Sequence, residues 1–179
     1  AYAPVHAPQI SLSSSFIYQK GCVYYMDVKK CSILAAKIRL ETLKVIHSRG
    51  FGHVGGSMSM ADAMAVLYGE VMHIDPKNPR WEDRDWFVLS KGHGGPVMYA
   101  TLGLKGYYPM ESAYTLNQPN TNFPSHTDRS KTIGVDLTTG SLGQGMSEAI
   151  GAALGLLVSW GGQLAGLLGT LDADLVAGI

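Results

Sequence analysis

Asp85-Trp86-Phe87-Val88-Leu89-Ser90-Lys91-Gly92-His93-Gly94-Gly95-Pro96 is the stretch on which the reading of the fold turns. Asp85 to Ser90 is a short, nearly continuous apolar run bounded by charge and glycine, the pattern of a strand buried on both faces. Lys91 to Gly95 then form a loop at its carboxyl end, and Pro96 stands where the first turn of a helix tolerates a missing N–H. Strand, glycine loop and helix in that order fit an α/β fold, and in open α/β sheets ligands bind at that edge.

Two further glycine loops flank this unit. Downstream, Thr138-Thr139-Gly140-Ser141-Leu142-Gly143-Gln144-Gly145 reads as a tight turn feeding a helix, where backbone amides can approach a bulky anion and the helix start adds unpaired N–H groups. Ile150, Ala153, Leu154 and Leu157 mark one face of that helix. Upstream, apolar residues recur as Ile33, Ala36, Leu40, Leu43 and Ile46, which predicts an amphipathic helix from Val28 to Arg49 stopped by Gly50. The chain then enters Gly52-His53-Val54-Gly55-Gly56. A second, packed helix runs to about Met72, with Ser57 or Ser59 as its cap and Ser59 with Asp62 as a capping-box-like pair. Asp75-Pro76-Lys77-Asn78-Pro79 is turn chemistry. Residues 107–135, rich in Asn, Pro, Ser and Thr, read as a long surface excursion with a short helix near Met110 to Leu116, and long loops in compact domains are usually functional.

The 179 residues, 46% of them apolar, suffice for one sizeable core. Fourteen basic side chains cancel fourteen acidic ones, so no net field favours nucleic acid or an anionic membrane. No apolar run approaches the roughly 20 residues of a membrane span, and no signal segment or anchor is read. Two cysteines, Cys22 and Cys31, fit a reducing cytoplasmic setting better than a disulfide framework. Met26 precedes the first helix, so residues 1–25 are expected to be a lead outside the domain, with Phe16, Ile17, Tyr24 and Tyr25 offering an edge strand as the alternative. Residues 26–157 form the expected domain, and 158–179 a divergent, glycine- and leucine-rich tail.

His53 and His93 each sit beside glycines after a predicted element, and His126 lies in the long loop. Imidazole donates to phosphate or sugar hydroxyls and moves protons near neutral pH; against this stands the plain reading of turn histidines satisfied by backbone. A metal site of the three is not supported, because no pair shares a helix face at three or four residues. His6, His47 and His73 are read as surface or core-edge residues, Cys31 as packing, the methionines of the second helix as core filler, and Asp83-Arg84-Asp85 as a solvated charge cluster. The glycine loop is neither a Walker loop nor the Rossmann spacing.

Taken in order, Gly52 to Gly56, Asp75-Pro76 with Asn78-Pro79, Arg84-Asp85 with Phe87 to His93, and Thr138 to Gly145 resemble the amino-terminal part of transketolase. The resemblance implies an incomplete thiamin-diphosphate-binding fold of the α/β class, a parallel sheet flanked by helices. By position it implies that His93 contacts the cofactor diphosphate, and that Gly140, Ser141 and Leu142 give backbone contacts to the aminopyrimidine side. His53 and His126 would line the substrate channel and assist proton transfers as a two-carbon ketol unit passes between sugar phosphates. The cofactor stabilises the carbanion in such chemistry, and the protein supplies orientation and proton handling.

Departures from the family pattern are equally specific. The Gly-Asp-Gly motif and downstream Asn that hold magnesium in the family are absent, and Asp172 and Asp174 do not replace them, since a hard cation needs several convergent oxygens. The cofactor-activating glutamate belongs to a second domain, expected from a carboxy-terminal partner or a full-length relative in a homo- or hetero-oligomer. A truncated or shifted reading frame is expected, and the isolated chain is expected to be inactive. The competing expectations are a non-catalytic fragment that binds cofactor weakly or associates with such a partner, and an unrelated phosphate-binding hydrolase.

Overall fold

The computed structural model of the chain describes residues 14–19 and 22–159. His6, most of the expected lead and residues 160–179, with Asp172 and Asp174, lie outside them. Strands β1 (Ser14–Gln19) and β2 (Cys22–Asp27) pair as an antiparallel hairpin, Phe16 opposite Tyr25 and Ile17 opposite Tyr24, so these four residues take the strand alternative.

Helix α1 (Val28–Arg49) begins where the Asp27 carboxylate accepts the Lys30 N–H at 2.9 Å and stops at Gly50, whose φ of 84° is left-handed. Its extent is the one the sequence predicts; of the predicted stripe only Ile46 lies on the buried face. Cys31, Ala35, Ile38, Thr42 and Val45 face the core, whereas Ile33, Leu40 and Leu43 are about half exposed. Both stripes have helical spacing, and the packing of α1 against α3 (Ala61–Val66), α4 (Gly95–Lys105) and the 3₁₀ turn Met110–Thr115 selects the first.

The second predicted helix is broken. Short α2 (Val54–Met58) gives way to a turn, α3, and a π turn at Leu67–Val71 that ends at Met72. Neither Ser57 nor Ser59 caps it: Ser57 is buried inside α2, and the Ser59 hydroxyl donates to the Gly56 carbonyl at 3.2 Å. Met64 is completely buried, as a core filler should be. Around it Ile38, Val45, Tyr68, Met98, Tyr99 and Leu102 close the core, each large side chain contributing roughly 1.5–3 kcal/mol by leaving water.

Asp85–Ser90 forms no strand ladder, and the hairpin is the one sheet among the described residues. A buried strand needs neighbours on both edges. Here the run is held otherwise: Phe87 N–H donates to Asp136 Oδ2 at 2.8 Å, Leu89 carbonyl accepts from Thr139 Oγ1 at 2.7 Å, and Asp85 N–H donates to the His73 carbonyl at 2.9 Å. Arg84 is not part of a solvated cluster. It pairs with Asp136 at 2.5 Å, the two side chains 12% and 3% exposed, because Asp136 is brought across from a loop 52 residues on. After the glycine loop, residues 144–159 form helix α5, but Ile150, Leu154 and Leu157 on it are exposed.

Candidate functional site

Four chain segments meet at the amino-terminal end of α4. Gly92 packs so tightly on the glycine loop that a Cβ there would stand 2.3 Å from the Thr139 carbonyl oxygen, so only glycine lets the two loops touch. Gly143, with φ of 86°, takes the left-handed turn that sends its N–H to the Ser90 carbonyl at 3.1 Å. Met146 N–H then donates to Ser90 Oγ at 3.1 Å and starts α5 against the same residue.

Thr139 ties these loops to a third. Its buried hydroxyl donates to the Leu89 carbonyl and meets Thr127 Oγ1 at 2.8 Å, while its N–H donates to the Thr127 carbonyl at 3.1 Å. His126, next to Thr127, is braced from behind, because buried Tyr99 donates its hydroxyl to the Pro124 carbonyl at 2.7 Å and to the His126 carbonyl at 3.2 Å. Burial of that phenol pushes its pKa well above the ordinary tyrosine value.

The result is that the three histidines singled out in the sequence converge. The His53 ring lies 5.3 Å from His93 and 5.6 Å from His126 between centroids, both pairs edge-on. His93 rests on Gly56, where a Cβ would come within 2.6 Å of its ring. Desolvation holds the His93 pKa below the ordinary 6.5, with repulsion from His53, Lys91 and His126 acting in the same direction. His93 thus enters the neutral range as an uncharged imidazole, able to donate from one nitrogen and accept at the other.

In the glycine loop against which Gly92 is pressed, the amides of Gly140, Ser141 and Leu142 donate to no acceptor among the described residues, and a Cβ at Gly140 would meet nothing within 4 Å. Free amides in a loop that packs on the one carrying His93 form a donor set suited to the polar edges of an anionic cofactor, so the residues present fit thiamin diphosphate. Magnesium fares differently: no group of three or more His, Cys, Asp or Glu side chains is arranged to hold a metal among the described residues. Thr127, Thr139 and Tyr99 escape sequence reasoning, since hydroxyl contacts across many residues leave no periodic trace. Lys91 stands inside the quoted loop, but only the structure gives its ammonium a place.

The residues carrying this geometry match known proteins. Residues 31–157 match the family model described as transketolase, thiamine diphosphate binding domain. A 6-deoxy-6-sulfo-D-fructose transketolase subunit from Clostridium sp. (strain MSTE9) is 58% identical over 117 residues, 65% of this chain and 42% of that protein. Transketolase 1 of Escherichia coli is 42% identical over 122 residues, which are 68% of this chain and 18% of that protein. The solved transketolase from Leishmania mexicana superposes with a TM-score of 0.65 at 39% identity, covering 68% of this chain and 18% of that one. The chain therefore spans less than half the length of these relatives, all of it toward one end of the family's architecture. Its loops, its histidines and its likeness to these proteins agree: the chain belongs to the transketolase family, as an amino-terminal part carrying the thiamine diphosphate binding domain.

Proposed function

We propose that this chain supplies one wall of a thiamin diphosphate site for ketol transfer between sugar phosphates, and that turnover needs a carboxy-terminal transketolase part on a partner chain. The observation that carries the reading is the convergence of His53, His93 and His126, with the loop of His93 packed on the glycine loop that bears the free amides of Gly140 to Leu142. The cofactor, when bound, supplies the electron sink for carbon–carbon cleavage. His93 Nε2 or Nδ1 donates to its diphosphate, and the amides of Gly140, Ser141 and Leu142 orient the aminopyrimidine side. His53 and His126, both exposed, hold the sugar hydroxyls and pass a proton to or from them.

The name of the Clostridium relative adds a substrate arm, a sugar bearing a sulfonate in place of the phosphate. Among the described residues no helix is long and apolar enough to cross a membrane, and the buried free thiol of Cys31 fits a cytoplasmic setting. A second reading, a non-catalytic fragment that associates with a transketolase relative, draws on the exposed Ile150, Leu154 and Leu157 of α5.

A coupled assay with ketose and aldose phosphates, repeated with a sulfonated ketose, separates the two. Ketol transfer only when a carboxy-terminal transketolase polypeptide is added supports the first reading; no transfer in either condition, with association retained, supports the second.

A further inference from the structure

Among the described residues Lys91 is a charged neighbour of His93 that the roles above leave unused. Its ammonium donates to Ser59 Oγ at 2.7 Å, and the Ser59 hydroxyl donates in turn to the Gly56 carbonyl at 3.2 Å. Gly56 is the residue against which the His93 ring rests. Two hydrogen bonds thus separate the ammonium from the seat of His93, and the next residue, Gly92, is pressed on Thr139 and Gly140.

The Lys91 side chain is half-buried, and no carboxylate forms an ion pair with it among the described residues. An ammonium carries three N–H donors, of which Ser59 takes one. A partly desolvated cation without a counter-charge is costly, and neither the Ser59 hydroxyl it meets nor the His93 imidazole that feels its charge supplies a negative one. An oxyanion would supply the missing counter-charge and take up the remaining N–H donors.

We propose that Lys91 is the fixed positive charge of the site and donates to a phosphate oxygen of the diphosphate that His93 contacts. This assignment rests on the cofactor reading above. A sugar phosphate presents the same oxyanion chemistry, and the experiment distinguishes the two sources. The charge also accounts for part of the depression of the His93 pKa, since a neighbouring cation disfavours a second one.

The test is calorimetric titration of the full chain, Lys91→Met and Lys91→Arg with inorganic pyrophosphate, thiamin diphosphate, thiamin and ribose 5-phosphate, alongside an NMR titration of the His93 ring. In Lys91→Met, pyrophosphate and thiamin diphosphate should bind about tenfold or more weakly, the loss of a charge-assisted hydrogen bond, and thiamin should be unaffected. Lys91→Arg should retain most of the affinity. The His93 midpoint should rise in Lys91→Met, which shows that the variant keeps its site and that the ammonium lay beside the ring. Unchanged pyrophosphate affinity in Lys91→Met overturns the proposal, as does a wild-type chain that binds neither pyrophosphate nor thiamin diphosphate. Loss confined to ribose 5-phosphate overturns the diphosphate assignment. Wild-type binding of pyrophosphate without thiamin diphosphate overturns the cofactor reading while leaving Lys91 as an anion anchor.

Discussion

His93 couples the site to pH through the same desolvation that keeps it neutral. Its folded pKa lies below the ordinary 6.5, chiefly because of burial. A group whose pKa is depressed by folding binds its proton more readily when the chain is unfolded, so its contribution is present above the unfolded value and is lost as pH falls through the folded one. The thermal midpoint should therefore drop between about pH 7.5 and about pH 5.5 by more in the wild-type chain than in His93→Gln. Equal drops in parallel melts would remove His93 as the cause. At this scale much of the site was legible, because His53, His93 and His126 each stand in a loop whose neighbours advertise close backbone approach. What the residues could not announce was Gly56 lying under an imidazole 37 positions later in the chain, a contact made by tertiary closure alone.

At the scale of elements, the segment Arg84–Ser90 depends on Asp136. That carboxylate serves Arg84 and the Phe87 N–H together, while the guanidinium lies over Trp86 at 5.3 Å. Asp136→Ala leaves a largely buried guanidinium without its partner and should cost about 3–5 kcal/mol in urea unfolding. Asp136→Asn, which keeps an acceptor for Phe87, should cost less. This dependence also explains how Asp85–Ser90, which has the pattern of a buried strand, is held without a ladder among the described residues. An apolar run bounded by polar residues reports burial, whereas a ladder requires edges that only other segments provide. Helix α1 teaches the same lesson. Its ends are written locally, in Asp27 and Gly50, but which of two equally periodic stripes is buried is decided by α3 and α4.

The whole molecule leaves apolar surface uncovered among the described residues. Leu142, Met146, Ile150, Leu154 and Leu157 are 74%, 67%, 55%, 57% and 69% exposed along the glycine loop and α5, the last four at the three- and four-residue spacing of one helix face, and clustered exposed apolar side chains mark interaction surfaces. The chain should therefore associate, and sedimentation velocity should show concentration-dependent species that Leu154→Glu with Ile150→Glu reduces. A monodisperse monomer across that range would count against an unpartnered face. The shared Thr139 hydroxyl has a consequence in time as well as in space. The loops bearing His93 and His126 close upon a residue that follows both, so a growing chain emerging from the ribosome carries all three imidazoles before it carries the group that joins their loops. Until Thr139 emerges, the tie between the segments that carry His93 and His126 is missing, and so are the amides of Gly140 to Leu142 that follow it.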